Sequence, residues 1–118
     1  MSKPVGPYTP IVRAGEWLVV SGQVGIVDGK LVSGGLESEL RQAIANLVDL
    51  LESAGASLTD VVKTTVFVRH LGTDYVRMNE VYMELVGDHR PARSAIGVAD
   101  LPLGALVEVE AWAHVGAG

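Results

Sequence analysis

The sequence predicts an α+β domain in which two helices pack on one face of a six-stranded sheet. The chain has 118 residues, a length typical of one compact domain, and we treat 1–118 as a single unit. Segments rich in β-branched residues are interrupted twice by segments in which apolar residues repeat with helical spacing. The expected order of elements is therefore β-β-β-α-β-α-β-β.

The first strands are predicted from a β-rich segment that ends in a turn. Residues 16–27 are rich in Val and Ile, and Asp28-Gly29 follows them, a dipeptide that favours a two-residue hairpin turn. Lys30–Val32 is the expected returning strand. Prolines at positions 4, 7 and 10, followed by Gly15, indicate a short irregular strand before this hairpin.

The centre of the chain predicts one helix followed by the strongest strand. From Ser38 to Ala54 the apolar residues lie three and four apart, which indicates an amphipathic helix that Gly55 ends. Val61–Arg69 is dense in β-branched residues and is expected to be extended.

A second amphipathic helix is predicted after this strand. Thr73 or Asp74 can cap its start, and Gly87 can end it. Asn79 lies on the apolar side of this helix. The other residues expected on that side are Tyr75, Met78, Tyr82, Leu85 and Val86.

Two strands, Ala92–Val98 and Leu106–Val115, are expected to complete the sheet. In the last strand, small apolar residues alternate with larger or charged ones, which predicts two different faces. The second face carries Leu106, Glu108, Glu110, Trp112 and His114. This face is either solvated or packed against another subunit. The second alternative is favoured because aromatic side chains such as Trp112 are enriched in interface cores.

Composition excludes several classes of function. The net charge is −5 and no Lys/Arg cluster occurs, so nucleic acid is not an expected partner. There is no cysteine, and the three histidines lack metal-motif spacing, so we expect no metal. Apolar runs are too short to span a membrane, and no signal-peptide pattern is visible, so a cytoplasmic protein is expected. The 48% hydrophobic content predicts an apolar patch for a partner.

Arg93 is the basic residue with the most restricted surroundings. It follows Pro91-Ala92, whose rigid backbone fixes its direction, and a planar guanidinium held in this way suits bidentate binding of a carboxylate. From composition alone, a solvated charge at a sheet edge is the favoured interpretation. Ser21 and Ser94 lack the surroundings of a catalytic serine, so covalent serine catalysis is not expected.

A series of short motifs between about residues 6 and 115 resembles the RidA (YjgF) family of reactive intermediate deaminases. These motifs are Gly6-Pro7-Tyr8, Ser21-Gly22-Gln23, Asn46-Leu47, 62–67, 79–82, Pro91-Ala92-Arg93-Ser94, Leu101-Pro102 and 107–111. Each motif alone is weak evidence, but their common order and spacing make the resemblance specific.

The resemblance implies a chorismate mutase-like fold with a mixed six-stranded sheet and two helices on one face. It also implies a homotrimer with a central β-barrel, whose active sites lie in clefts between subunits. The implied reaction is hydrolysis of 2-imino acids, and of their enamine tautomers, to 2-keto acids and ammonia. No cofactor is implied.

The resemblance also assigns roles to residues. Arg93 would bind the substrate carboxylate, and Glu108 would orient the attacking water and transfer protons. The main chain of Ala95 would hydrogen-bond near the imino nitrogen. The remaining residues implied to line the cleft are Tyr8, Ser21, Gly22 and Asn79, with Gly22 allowing a close approach of the backbone.

Some positions depart from the family pattern. Ala95 stands where the family often has cysteine, and Glu39-Leu40 stands where Gln-Thr is frequent. The segment 68–74 is one residue longer than usual, and the loop after Gln23 is shorter. These departures leave open a second function, a non-catalytic binder of small carboxylate metabolites on the same fold. A third, an endoribonuclease, is disfavoured by the acidic charge.

Overall fold

The computed structural model describes residues 6–116 of the chain. Its elements are β1 Ile11–Ala14, β2 Trp17–Gln23, β3 Ile26–Val27, β4 Lys30–Leu31, α1 Gly35–Ser53, β5 Val61–Val68, α2 Leu71–Val86, β6 Ala92–Gly97 and β7 Val107–His114. Short 3₁₀ turns precede β5 and β7. The α+β class is as predicted, and so is the order of elements from α1 onward, but four strands rather than the expected three precede α1. Pro4 of the expected irregular segment lies outside the described residues.

The main sheet has five strands, so the prediction of six is wrong. Their order is β1-β2-β7-β5-β6, in which β5 and β6 are parallel and the other neighbours are antiparallel. The sheet is therefore mixed, as the family resemblance implies. The connection between the two parallel strands is α2, because parallel neighbours need a crossover.

The strands β3 and β4 form a separate two-stranded hairpin. Asp28 and Gly29 have φ angles of 53° and 80°, which agrees with the predicted two-residue turn. The segment 16–27 does not continue as one strand, because the chain leaves the sheet after Gln23. Asn46 on α1 donates hydrogen bonds from Nδ2 to the carbonyl oxygens of Val24 (3.1 Å) and Ile26 (3.0 Å), which fixes this departure.

Both helices pack on the same face of the main sheet, which we call the core face. The side chains of β7 that point into it are Val107, Val109, Ala111 and Ala113, and all are buried, as their alternation predicts. The opposite face, called the open face, carries Glu108, Glu110, Trp112 and His114, with Trp17, Val19, Lys63 and Phe67 on neighbouring strands. No helix within 6–116 is long and apolar enough to cross a membrane.

The two helices begin earlier than their patterns indicate. α1 begins at Gly35 rather than Ser38, and α2 begins at Leu71 rather than at Thr73 or Asp74. The earlier start of α2 is explained by packing, because Leu71 contacts the core. Tyr75, expected on the apolar side of α2, is 43% exposed.

Candidate active site

The guanidinium of Arg93 is enclosed by one side of α2. It lies over the ring of Tyr82, with Cζ 5.0 Å from the ring centroid, and at 5.9 Å from the centroid of Tyr75. Nη1 donates to Sδ of Met78 at 3.6 Å, and Nη2 donates to Oη of Tyr75 at 3.4 Å. Within residues 6–116, no carboxylate pairs with Arg93. The expectation of a simple solvated charge is therefore wrong: the side chain is held, half-buried, without a counter-ion.

The position of Arg93 follows from the parallel pairing of β5 and β6. Arg93 is the register partner of Thr64, whose buried hydroxyl lies 2.7 Å from the hydroxyl of Tyr82. Arg93 and Thr64 therefore share the core face, beneath α2. The sequence does not predict the three contacts of Arg93 with α2, because these contacts depend on the pairing of β5 with β6.

The main chain of Ala95 faces the free edge of β6. The N–H of Val98 donates to the carbonyl of Val68 on β5 at 3.1 Å. Because N–H directions alternate along an extended strand, the N–H groups of Ser94 and Ile96 also point to β5, and that of Ala95 points away. A donor on this edge, beside Arg93, is available to a ligand.

Asn79 adds an acceptor on the same helix. It lies four residues from Tyr75 and three from Tyr82, on the side of α2 that carries the Arg93 contacts. Its Oδ1 atom is buried and has no hydrogen-bond partner among the described residues. A buried acceptor without a partner is costly, so a donor from a ligand or another subunit would satisfy it.

Glu108 lies on the open face, between two core residues of β7. Its carboxyl group is half-buried, and this burial raises its pKa above the ordinary value, while the negative charge of Glu110 raises it further. Gly22 lies directly against it, and a Cβ atom built at Gly22 would lie 2.6 Å from Cδ of Glu108. The close backbone approach expected of Gly22 is therefore made to Glu108.

Ser21 precedes Gly22 in β2 and contacts the segment before β1. The hydroxyl of Ser21 donates to the carbonyl of Thr9 at 2.8 Å, so it holds the segment that carries Tyr8. Tyr8 is exposed. Ser21 therefore holds the main chain of the segment before β1 through its hydroxyl. Its position in a strand does not predict this contact.

One chain does not bring Arg93 and Glu108 together. Arg93 faces α2, whereas Glu108 faces the opposite side of the sheet. Glu108 pairs with Phe67 and Arg93 pairs with Thr64, so their Cα atoms lie two strands and three residues apart, about 14 Å. The structure thus divides the candidate residues into a core-face group of Arg93, Ala95 and Asn79, and an open-face group of Glu108 and Gly22, with Ser21 next to Gly22 in β2.

Two of the three histidines are engaged in other contacts. His89 Nε2 lies 2.7 Å from the carbonyl of Val61, and His114 Nε2 lies 3.3 Å from the carboxylate of Glu16. Among residues 6–116, no three His, Asp or Glu side chains are grouped as metal ligands would be.

Comparison with known proteins places this geometry in a family. Residues 1–115 match the family model described as endoribonuclease L-PSP. The chain is 42% identical to a RutC family protein of Pyrococcus horikoshii (95% of this chain, 90% of the relative) and 40% identical to the human 2-iminobutanoate/2-iminopropanoate deaminase (95% and 82%).

Solved structures of similar proteins have the same fold as this chain. One is a putative endoribonuclease from Thermotoga maritima, with a TM-score of 0.91 at 45% identity, covering 98% of this chain and 91% of that one. Another is TdcF of E. coli with bound serine, with a TM-score of 0.89 at 31% identity, covering 96% and 91%. The resemblance inferred from the motifs is confirmed, and the chain belongs to the RidA (YjgF) family, whose model carries the endoribonuclease L-PSP description.

Proposed function

We propose that this protein hydrolyses reactive 2-imino acids, and their enamine tautomers, to 2-keto acids and ammonia without a cofactor. The observation that carries the proposal is the state of Arg93: a guanidinium oriented by Tyr75, Met78 and Tyr82, with no carboxylate partner in the described chain. A substrate carboxylate is the counter-ion that this arrangement suits. Relatives about 40% identical are named as deaminases of 2-imino acids.

The other core-face groups match the remainder of a 2-imino acid. The edge N–H of Ala95 can donate to an oxygen of the ligand, or to its nitrogen in the neutral imine form, and the orphaned Oδ1 of Asn79 can accept from an iminium N–H. A carboxylate and an iminium on adjacent carbons present one anionic acceptor and one cationic donor. The core-face group offers the complementary cationic donor, Arg93, and the complementary acceptor, Oδ1 of Asn79.

Glu108 supplies the proton transfers in this proposal. As a carboxylate it accepts a proton from water while the water oxygen bonds to the electrophilic iminium carbon. The resulting carbinolamine takes this proton on nitrogen and its C–N bond breaks, so that ammonia leaves. Glu108, again a carboxylate, accepts the hydroxyl proton as the carbonyl of the keto acid forms. Its raised pKa makes Glu108 a stronger base than an ordinary carboxylate, which suits it to accept and then return the proton.

The two groups act on one molecule only when a second chain completes the site. We therefore include in the proposal a homotrimer whose open faces form a central barrel, with Arg93 of one subunit near Glu108 of its neighbour. Exposed apolar side chains on the open face support this assembly, namely Val12, Trp17, Ile96 and Trp112. Burying them would remove a large apolar surface from water.

The test is turnover of enzymatically generated 2-iminobutanoate or 2-iminopropanoate, followed as keto acid formed with and without the protein. The wild type is expected to accelerate hydrolysis. Arg93→Ala should lower kcat/KM by about 100- to 1,000-fold, because a desolvated ion pair to the substrate is lost. Arg90→Ala is the matched control, since Arg90 is exposed and only donates to the carbonyl of Gly87. Full activity in Arg93→Ala would contradict the proposal. So would the absence of accelerated hydrolysis for every 2-imino acid tested, whatever its side chain.

A second candidate function is binding of small carboxylate metabolites without turnover. It is favoured by the completeness of the core-face group within one chain and by the solved TdcF structure, which holds serine. Calorimetry with 2-keto acids and amino acids separates the two. Saturable binding by a wild type that leaves imine lifetimes unchanged would support this second function.

A further inference from the structure

The hydroxyl pair beneath Arg93 has no role in the chemistry described so far. Thr64 and Tyr82 are both buried, at 3% and 5% exposure, and their hydroxyl oxygens lie 2.7 Å apart. Thr64 lies in β5 and Tyr82 in α2, so this hydrogen bond joins the sheet to the helix. The same two residues are the strand neighbour of Arg93 and the ring beneath its guanidinium.

We propose that Thr64 and Tyr82 are positioning residues that set the direction of the Arg93 guanidinium. The hydroxyl pair fixes the plane of the Tyr82 ring, and the ring face then supports the cation from below. The inference rests on the proposed function, since it assigns to this pair the geometry with which Arg93 binds a carboxylate.

Tyr75 provides the internal contrast. It also contacts Arg93, but it is 43% exposed, its hydrogen bond to Nη2 is 3.4 Å long, and its ring centroid is farther from Cζ than that of Tyr82. A long hydrogen bond to an exposed tyrosine restricts a side chain little. The buried pair is therefore the stronger determinant of where Arg93 points.

The consequence is specific to binding. Bidentate recognition needs the planar guanidinium held within about 10–20° of the productive geometry. Glu108 lies on the opposite face of the sheet, so loss of the hydroxyl pair leaves proton transfer intact. Weaker positioning should therefore raise KM and the Kd of a 2-keto acid while changing kcat little.

The experiment compares Thr64→Val and Tyr82→Phe, which remove one hydroxyl each and keep the shape of the core. The Kd of 2-oxobutanoate, measured by calorimetry, and the KM for 2-iminobutanoate should each rise about three- to tenfold, with kcat within about twofold. Thr64→Ser keeps the hydroxyl and should restore both values to near those of the wild type.

Thr65→Val is the matched control, because Thr65 is the next residue of β5 and faces the open side. It should change Kd by less than about twofold. Tyr82→Phe keeps the assay decisive if Thr64→Val fails to fold.

Unchanged Kd and KM in both hydroxyl variants, a fall confined to kcat, or a Thr64→Ser variant as weak as Thr64→Val would overturn the inference. A wild type that neither binds 2-oxobutanoate nor hydrolyses the imine refutes the proposed function and this inference with it. A wild type that does both while the hydroxyl variants match it refutes the positioning role alone.

Discussion

The core-face and open-face groups of candidate residues differ in what surrounds them. Arg93 has contacts to three side chains of α2, and the ring below it is fixed by a buried hydrogen bond. Glu108 is packed against Gly22, on a sheet face whose tryptophans remain exposed. Folding of one chain thus orients the residue that we propose to bind the carboxylate, and we infer that only assembly brings Glu108 of a neighbouring chain to it.

Disrupting the open face is expected to have the largest effect, on both assembly and turnover. Trp112→Asp places a charge at the centre of the surface that we expect to be buried between subunits. Assembly should be lost, and kcat/KM should fall at least about 100-fold, because an unpaired charge is costly to bury. Light scattering coupled to size-exclusion chromatography measures the mass, and the keto acid assay measures turnover.

Val76→Asp is the control for that experiment, because Val76 is the most exposed large apolar side chain at 72% and lies on α2. It should leave mass and activity unchanged. The circular dichroism spectrum of Trp112→Asp should also be native, since the core face is untouched. A fully active monomer would show that one chain suffices.

A smaller effect is expected from Gly22→Ala, which alters the open-face group alone. The added Cβ would lie 2.6 Å from Cδ and 2.8 Å from Oε2 of Glu108, so the carboxylate must rotate away while the backbone stays. kcat should fall about ten- to 100-fold, as for a catalytic group misplaced by an ångström. The Kd of 2-oxobutanoate, set by the core-face group, should change less than about threefold.

Gly72→Ala is the matched control, because its Cβ would meet open space in α2. It should leave kcat unchanged. If Gly22→Ala weakens 2-oxobutanoate binding as much as turnover, the two groups are not separable in the way described.

The smallest expected effect concerns pH. Burial and, secondarily, the charge of Glu110 raise the pKa of Glu108, so the rate that needs its carboxylate form is lost as pH falls through that raised pKa. Glu110→Gln removes the second cause and lowers the pKa. The acidic limb of the kcat profile should therefore move to lower pH.

Glu52→Gln on the exposed side of α1 removes the same charge at a distance and should leave this limb in place. A shift of the limb to higher pH in Glu110→Gln would show that Glu108 is not the group that titrates.

Local patterns predict the elements well and their partners poorly. The alternation along β7 separates Val109 from Glu108 correctly, because a strand has only two faces. The Asp28-Gly29 turn is also predicted, because its φ angles depend on two residues. The separation of the Lys30–Leu31 strand from the main sheet is not predicted. The hydrogen bonds of Asn46 that hold the hairpin away from the sheet join residues about twenty positions apart.

The site shows the same limit. Helical spacing assigns Met78 and Tyr82 to the buried side of α2, which is confirmed, but gives no indication that Arg93 lies against them. That contact depends on the register of two parallel strands, which a single sequence does not reveal. The family motifs identify Arg93 and Glu108 as candidate site residues. Only the fold shows that Arg93 lies on the face of the sheet opposite to Glu108.

The free edge of β6 has a consequence for the behaviour of the protein in solution. The strand follows Pro91, and the N–H groups of Arg93, Ala95 and Gly97 point away from β5. A row of unpaired main-chain groups is a template for strand addition and aggregation. Its short length, the proline before it and the charge of Arg93 all discourage such pairing. The edge whose Ala95 N–H we propose as a donor to a ligand thus also has features that discourage strand pairing with another chain.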